Sequence, residues 1–433
     1  MNRLEVSSAI LAGAEIERVL CDVARRYETP CFVYFMDEVK ARIDGLRAAF
    51  DGVFGVSYAM KCNPHPEILR KMMGWVDTLD ISSGGELKSA LEVGWPPATI
   101  SFTGPAKLAR DLSASVQQGV GEVVLESLRE AEALAAEARA AGVRQRVLLR
   151  IAPARVPKGF GVNMAGRPCQ FGVDEEALPA ILPKILALRE LELVGFHIYS
   201  GTQCLKPDAI AENYSIFLEL FRRASVEYDL TPRKLIFGSG FGIPYHDGDQ
   251  SVDPRRVAER ILPELRAFKA EPRFARASCL LETGRYLVGE AGYYLARVVN
   301  RKHSRGSEIA TLDGGMHHHL GAAGHLGMAL HRNYRMFKLP GEQPPGPDQK
   351  YDLYGPLCTT IDVLGRGVTL PGLEVGDVIA IRSSGAYAAT ASPVYFISHP
   401  LPGELMVEAD AEKLCIRDIS RRMNPPSSPP RFE

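Results

Sequence analysis

Eight short apolar runs recur along the first two thirds of the chain, with amphipathic stretches between them. The runs lie at residues 56–61, 78–83, 99–104, 121–127, 146–152, 193–200, 234–240 and 278–284. A strand followed by a helix places the next strand parallel to the first, and eight such units close into a barrel. The sequence therefore predicts an α/β fold, a (β/α)8 TIM barrel.

The pattern changes after about Tyr286, where helical periodicity fades and short strand-like runs follow. Turns rich in Gly and Pro separate these runs, including Gly341–Gly346 and Leu370–Gly372. This is typical of a β-rich domain, and the Pro/Ser-rich end of the chain is typical of disorder. The expected limits are 32–285 for the barrel, 1–31 and 286–420 for the β-rich domain, and 421–433 for a disordered tail.

Composition narrows the function classes. The 433 residues suffice for a barrel and a second domain, and a net charge of -1 favours neither nucleic acid nor an anionic membrane as a partner. Acidic residues in the first apolar stretch argue against a secretory signal peptide, and no apolar run is long enough to span a membrane. Eight cysteines without a CxxC pair indicate no disulfide framework. A cytoplasmic enzyme is expected.

Polar residues stand where the apolar runs end, which in a barrel is where chemistry gathers. They are Lys61, Asp80, Ser83, Glu126, Arg150, His197, Ser200, Gly238, Ser239, Gly240, Glu282 and Arg285. Each alone is more often an ordinary strand-end residue. Together they predict a site at this end of the barrel.

Lys61 has the most specific chemistry of this set. A lysine at a strand end is commonly a surface residue, but a desolvated amine with a lowered pKa condenses with carbonyl compounds. His197 is suited to lie against an aromatic ring, although a lone histidine is more often a half-buried side chain with its partners satisfied.

Two further features suggest a phosphorylated pyridine as ligand. The Gly238-Ser239-Gly240 turn offers backbone N–H groups to a phosphate, although many glycine clusters are only turns. Glu282 is suited to keep a pyridine nitrogen protonated, and Arg285 is suited to clamp phosphate. The simpler interpretation of the last two is a surface ion pair of small energy.

Seven motifs, in order along residues 34–407, resemble those of the fold-type III pyridoxal 5′-phosphate (PLP)-dependent decarboxylases, the family of diaminopimelate, ornithine and arginine decarboxylases. They are Tyr58-Ala59-Met60-Lys61-Cys62-Asn63, Asp80 with Ser82-Ser83-Gly84-Gly85-Glu86, Gly195–Gly201, Gly238–Gly242, Glu282-Thr283-Gly284-Arg285, Gly355-Pro356-Leu357-Cys358 and Gly385-Ala386-Tyr387.

The resemblance implies an alanine-racemase-like barrel with a β domain, PLP on Lys61, and a homodimer with shared active sites. It implies stacking of His197 on the cofactor ring and a catalytic Cys358 that acts in the partner subunit's site. The implied cofactor contacts are Lys61, Asp80, Arg150, His197, Ser200, Gly238, Ser239, Gly240, Glu282, Arg285 and Tyr387.

The chain departs from the diaminopimelate decarboxylase pattern at residues 313–320, Asp-Gly-Gly-Met-His-His-His-Leu, after which no Arg-Pro follows. The arginine of that pattern helps to hold the distal carboxylate. Residues 312–334, 362–365 and 390–393 look closer to a branch that includes a decarboxylase of glutamate tethered to an acyl carrier protein and decarboxylases found beside exopolysaccharide-export (exosortase-associated) genes. We expect an amino-acid substrate, carrier-bound or, as the alternative, free.

His317, His319 and Asp362 are the candidate substrate residues. On a strand, neighbouring side chains point to opposite faces, so only His317 and His319 of the three histidines would share one. Adjacent histidines without a spaced third ligand rarely form a zinc site, and no metal is expected.

Two other functions remain open. An amino-acid racemase shares the barrel but usually places an arginine at the pyridine nitrogen, so Glu282 argues against it. A non-enzymatic PLP carrier or regulatory protein tends to lose the lysine, the glutamate or the cysteine, and all three are present here.

Overall fold

The structure is a computed structural model that describes residues 2–5, 13–326, 332–341, 344–410 and 413–421. It contains two compact units, one of Lys40–Pro244 and Asp249–Leu287, the other of Met1–Val39, Tyr245–Gly248 and Val288–Glu433. The first unit thus begins later than the expected barrel limit at residue 32, because strand Cys31–Phe35 pairs in the sheet of the second unit. The predicted disordered tail lies outside the described residues, apart from Arg421.

The first unit contains eight parallel strands in a closed barrel. The sixth strand pairs with the seventh on one side and with the fifth on the other, which closes the ring. The predicted barrel is therefore confirmed. Its strands are Phe54–Ala59, Thr78–Ile81, Ile100–Phe102, Glu122–Leu125, Gln145–Ala152, Leu191–Ile198, Lys234–Gly238 and Ser278–Thr283.

Several of the helices that follow the strands begin at a capping side chain. Ser83 and Ser127 cap two helices by accepting from the backbone N–H groups of Glu86 and Glu130. The helices within the barrel unit are Pro66–Met72, Gly84–Glu92, Ala109–Gln117, Leu128–Ala141, Leu178–Leu186, Pro207–Glu227 and Pro254–Ala270. Met36–Ala49 and Arg285–Val288 each run across a division between the two units.

Short elements complete the barrel unit. Strands Phe160–Asn163 and Gly201–Cys204 pair antiparallel, and Val173–Asp174 pairs with the end of the fifth barrel strand. Single 3₁₀ turns lie at Met60–Cys62, Pro97–Thr99 and Glu175–Ala177.

The second unit is built on a ten-stranded sheet. Its strands are Asn2–Glu5, Cys31–Phe35, Gly292–Ser304, Ser307–Leu312, Met336–Lys338, Asp348–Tyr354, Val363–Pro371, Val378–Ile381, Gly403–Asp410 and Lys413–Asp418. Helix Gly13–Arg26 covers the sheet with a stripe of Ile16, Val19, Leu20 and Val23 at helical spacing. The 3₁₀ turns are Ala389–Ala391 and Phe396–Ser398. Within the described part of the chain, no helix has both the length and the apolar character to cross a membrane.

Candidate functional site

The strand register brings four predicted site residues to one place. Partners on neighbouring parallel strands carry their side chains to the same face. His197 is the partner of Arg150, and Glu282 is the partner of Gly238. Asp80 is the partner of Ala59, on the strand that separates Asp80 from Glu282. These polar side chains line the interior at the carboxyl ends of the strands, where barrel enzymes carry their active sites.

Lys61 lies in the 3₁₀ turn Met60–Cys62, directly after the first barrel strand, and is partly exposed between two buried neighbours. Burial by itself lowers its pKa, but the carboxyls of Asp80 and Glu282 reverse this effect and raise the pKa above its ordinary value. The lowered pKa expected from the sequence is therefore wrong for the protein chain by itself. The spatial proximity of two acids from other strands is the reason.

His197 and Glu282 form a buried pair, with His197 Nε2 2.9 Å from Glu282 Oε2 and side-chain exposures of 0% and 1%. Burial lowers the pKa of His197. Burial alone would raise the pKa of Glu282, but His197, Lys61 and Arg150 lower it below its ordinary value. Glu282 is thus a carboxylate at neutral pH, and the other nitrogen of His197, Nδ1, has no hydrogen-bond partner among the described residues.

Asp80 receives a hydrogen bond that the sequence did not suggest. Thr103 Oγ1, just beyond the third strand, donates to Asp80 Oδ1 at 2.5 Å. Burial, followed by the charge of Glu282, raises the pKa of Asp80 well above its ordinary value. Because Thr103 is the first residue after the third strand, a search that included the residue following each strand would have found it.

Arg150 is held by Glu126, a strand-end residue to which no specific role was given. Arg150 Nη1 donates to Glu126 Oε1 at 3.0 Å, and the guanidinium lies 4.6 Å from the Phe171 ring centroid. Glu126 also accepts from the backbone N–H groups of Gly104 and Gly172. Arg150 therefore sits in a fixed, charge-balanced position beside His197.

Two side chains of helix Pro207–Glu227 position the glycine turn and its neighbour. Ser200 Oγ donates to Asn213 Oδ1 at 2.7 Å, and the Tyr214 hydroxyl donates to the carbonyl of Ser239 at 2.8 Å. Nothing in the sequence pattern pointed to Asn213 or Tyr214, because they lie on the buried face of an ordinary amphipathic helix. Gly240 has φ +70°, and a Cβ there would lie 2.7 Å from the Phe160 ring. Only glycine suits this position.

This donor set fits PLP. A partly exposed lysine amine, a buried carboxylate for a pyridine nitrogen, a buried imidazole with a free nitrogen and a glycine turn surround one end of the barrel. When bound, PLP supplies an electron sink for the bond electrons that departing carbon dioxide leaves behind. Arg285, at the start of helix Arg285–Val288, is partly buried just beyond Glu282.

The remaining predicted residues lie in the β-rich unit. Cys358 is exposed in a loop after strand Asp348–Tyr354. Asp362 is fully buried, and its two oxygens accept from the backbone N–H groups of Met316 at 2.6 Å and Leu357 at 2.9 Å. One carboxylate thus joins the loop of Cys358 to the histidine segment. Tyr387 is half-buried with φ 54°, an uncommon backbone state for tyrosine.

The three histidines lie in a turn, so the expectation that they alternate along a strand is wrong. The rings of His317 and His318 are 3.7 Å apart, and all three side chains are at most 2% exposed. His318 contacts the Tyr294 hydroxyl and the Pro400 carbonyl, and His319 contacts Ser384 Oγ and the N–H of Ala322. The nitrogens of His318 and His319 are therefore engaged within their own unit.

Both ring nitrogens of His317 lack a hydrogen-bond partner in the described part of the unit. Its ring centroid lies 4.9 Å from that of His399. Among the described residues, no group of three or more His, Cys, Asp or Glu side chains is arranged to hold a metal ion.

Comparison with known proteins agrees with this geometry. Residues 36–289 match the family described as pyridoxal-dependent decarboxylase, pyridoxal binding domain. The L-glutamyl-(BtrI acyl-carrier protein) decarboxylase of Niallia circulans is 31% identical over 89% of this chain and 90% of its own length. A diaminopimelate decarboxylase of Zymomonas mobilis is 28% identical over 91% of each chain.

The fold has a close counterpart among solved structures. Diaminopimelate decarboxylase from Helicobacter pylori superposes with a TM-score of 0.80 at 23% identity, covering 94% of this chain and 97% of that one. The match to the family covers more than half of the chain, and the Niallia relative spans nearly all of it. The chain therefore belongs to the fold-type III pyridoxal-dependent decarboxylases and is a PLP-dependent amino-acid decarboxylase.

Proposed function

We propose that the substrate is an amino acid whose side-chain carboxyl is bound to an acyl carrier protein, with carrier-bound glutamate as the first candidate. The observation that carries this proposal is the 31% identity to a decarboxylase of that substrate over 89% of the chain. A thioester-bound carboxyl carries no charge, so it needs no arginine partner. This agrees with the absence of an Arg-Pro after residues 313–320.

The histidine turn adds physical support. Burial lowers the pKa of His317 and His319 to about 3 and that of His318 to about 4. All three imidazoles are therefore neutral at pH 7. Asp313, in the same segment, accepts hydrogen bonds from the Thr29 hydroxyl and the Arg297 N–H. The segment offers no cation of its own to a free distal carboxylate.

Each residue of the barrel site has a proposed task. Lys61 binds the cofactor covalently and is displaced from it by the amine of the substrate. Glu282 keeps the pyridine nitrogen protonated, and His197, held at 2.9 Å from Glu282, lies against the ring. The turn Gly238–Gly240, with Ser200, Arg285 and Tyr387, binds phosphate. Asp80 and Arg150 set the charge around the amine and the ring.

Cys358 is the proposed acid that delivers a proton to the α-carbon after carbon dioxide leaves. Its thiol is exposed in the single chain, which suits a residue that completes the active site of a partner subunit. We propose a homodimer with shared sites, located in the cytoplasm. His317 and His319 remain candidates for the substrate wall, although both are buried here. Asp362 is better explained as the residue that positions the Cys358 loop.

The test is to incubate the holoenzyme in heavy water with one candidate substrate at a time and to measure the product masses by mass spectrometry. The candidates are carrier-bound glutamate, free glutamate, diaminopimelate, lysine, ornithine and arginine. We expect loss of carbon dioxide and one deuterium at the former α-carbon for carrier-bound glutamate. Lys61→Ala is the inactive control. Much faster turnover of a free dicarboxylic amino acid would overturn the carrier proposal.

A second candidate is decarboxylation of free diaminopimelate, which is supported by 28% identity to diaminopimelate decarboxylases over about nine tenths of the chain. The same experiment separates the two. Deuterium exchange with retention of the carboxylate would instead indicate racemisation.

A further inference from the structure

The interior of the barrel, below the cofactor site, is divided into two chemically different halves. Val124, Leu148, Val194, Ile236 and Leu280, on the fourth to eighth strands, form an apolar cluster. The first four strands instead contribute polar side chains to the interior: Ser57, Thr78, Asp80, Ser101 and Glu122. We call these five residues the polar half of the barrel.

Register places the polar half in one continuous row. Ser57 is the partner of Thr78, Asp80 of Ser101, and Ser101 of Glu122. Thr78 and Asp80 are two residues apart on one strand and therefore share its face. Neighbouring strands lie about 4.8 Å apart. The side chains of consecutive members of the row are therefore close neighbours.

Every member of the row has a buried polar atom without a partner. Among the described residues, neither the hydroxyls of Ser57, Thr78 and Ser101 nor Asp80 Oδ2 and Glu122 Oε2 have a hydrogen-bond partner within the chain. All five side chains are at most 8% exposed. A buried polar atom left unsatisfied costs about 1–3 kcal/mol. Five in one row are not tolerated without bridging groups, and ordered water is the usual one.

The row joins the reacting centre to the floor of the barrel. At one end, Ser57 is the partner of Glu282. Asp80, the middle member of the row, lies near Lys61. At the other end, Glu122 pairs with Lys234 at 2.6 Å, and the Lys234 side chain is 17% exposed. Solvent therefore reaches the lower end of the row.

Decarboxylation needs a proton from solvent in every turnover. The bond from the α-carbon to the carboxylate breaks, its electron pair stays on carbon, and a proton takes the place of carbon dioxide. The proton donor must then recover this one proton. A route through the floor of the barrel would supply it while bound substrate covers the upper end.

We propose that the polar half of the barrel holds a file of ordered water molecules that carries protons from the Glu122–Lys234 pair to Asp80 and Lys61. The geometry agrees with this, since Asp80 Oδ2 is buried without a hydrogen-bond partner among the described residues and is therefore open to a water molecule of the file. The proposal rests on decarboxylation and does not depend on whether the substrate is free or carrier-bound.

Crystal structures of the protein with and without PLP, at a resolution that shows ordered water, test the file directly. We expect water within hydrogen-bond distance of Asp80 Oδ2, Ser101 Oγ and Thr78 Oγ1. Hydroxyls bonded straight to backbone carbonyls, with no water between the strands, would overturn the proposal. This arm is independent of any substrate.

Ser101→Ala tests the proton path, because Ser101 stands between Glu122 and Asp80 in the row and the change removes its hydroxyl. With whichever substrate is turned over, we expect kcat to fall on the order of tenfold, KM to stay unchanged, and the solvent deuterium isotope effect on kcat to rise. Ser101→Thr, which keeps a hydroxyl, should restore the rate and the isotope effect. Ile236→Val, in the apolar half, controls for packing.

Cofactor absorbance and unfolding midpoints confirm that each variant is folded. If Ser101→Ala and Ile236→Val share the same rate and isotope effect, the polar half carries no protons to the site. If no substrate is turned over by the wild-type enzyme, the proposed function fails while the crystallographic arm still decides the file.

Discussion

At the scale of single residues, the active site is governed by charges that different strands bring together. Lys61 is a lysine with two acidic neighbours, and Glu282 keeps its charge because His197, Lys61 and Arg150 offset its burial. The charged residues that interact within the barrel site lie on at least four different strands. The pKa of each group is therefore a property of the closed barrel and not of its own motif.

Glu282→Gln should lower the pKa of Lys61 in the cofactor-free protein, because it removes a carboxylate that raises this pKa. The rate of covalent PLP binding to Lys61 can be followed by absorbance at a series of pH values. The midpoint of this pH profile should move to lower pH. Glu92→Gln, an exposed carboxyl with 63% side-chain exposure, is the control. Identical profiles for both variants would contradict the proposed charge coupling.

At the scale of elements, the loops of the β-rich unit depend on a single buried carboxylate. Asp362 accepts from the N–H groups of Met316 and Leu357. A Cβ on either Gly315 or Gly355 would fall on this carboxylate, so glycine is required at both positions for a steric reason. The geometry of the Cys358 loop thus depends on a residue that is not part of its motif.

Asp362→Asn should weaken this junction, because an amide can accept with only one of its two terminal atoms. We expect a loss of about 2 kcal/mol in the free energy of unfolding and a lower kcat, since the Cys358 loop loses its support. Chemical denaturation and steady-state kinetics measure the two effects. Asp348→Asn, at an exposed strand position, should change neither. Wild-type stability for Asp362→Asn would refute the role of this carboxylate.

The histidine turn makes stability depend on pH. Burial lowers the pKa of His319 to about 3, so below about pH 6.5 the unfolded chain binds a proton that the folded chain does not. Stability therefore falls as pH falls, by up to about 1.4 kcal/mol per pH unit for this residue. His319→Gln should flatten the curve of unfolding free energy between about pH 6 and pH 4. Buried carboxyls with raised pKa values change the stability in the opposite direction, but they do so in both proteins. Their contribution cancels when the curves of the wild type and of His319→Gln are compared. Parallel curves would contradict the prediction.

At the scale of the whole molecule, the proposed shared site allows a test by mixing subunits. Lys61→Ala and Cys358→Ala are each expected to be defective. If one site uses Lys61 from one subunit and Cys358 from the other, each mixed dimer contains one intact site. Random mixing in equal amounts should then recover about a quarter of wild-type activity. No recovery, with mixed dimers shown to form by mass spectrometry, would place both residues in one subunit.

The sequence by itself determined the barrel, because period and spacing are local. Eight apolar runs, each within two or three residues of an observed strand, gave the fold class. The same strand ends gave Asp80, His197 and Glu282, since side chains at the carboxyl ends of parallel strands converge whatever lies between them.

Only the tertiary structure decided how these groups interact. The raised pKa of Lys61, the bond from Thr103 to Asp80 and the support of Ser239 by Tyr214 each join residues that are distant in sequence. Strand Cys31–Phe35 looked like an entry to the barrel but pairs in the other sheet. The histidine segment resembled a strand, yet its backbone folds into a turn in which the N–H groups of His318 and His319 both donate to the carbonyl of Gly315. Pairing and charge depend on distances through space, which local patterns do not contain.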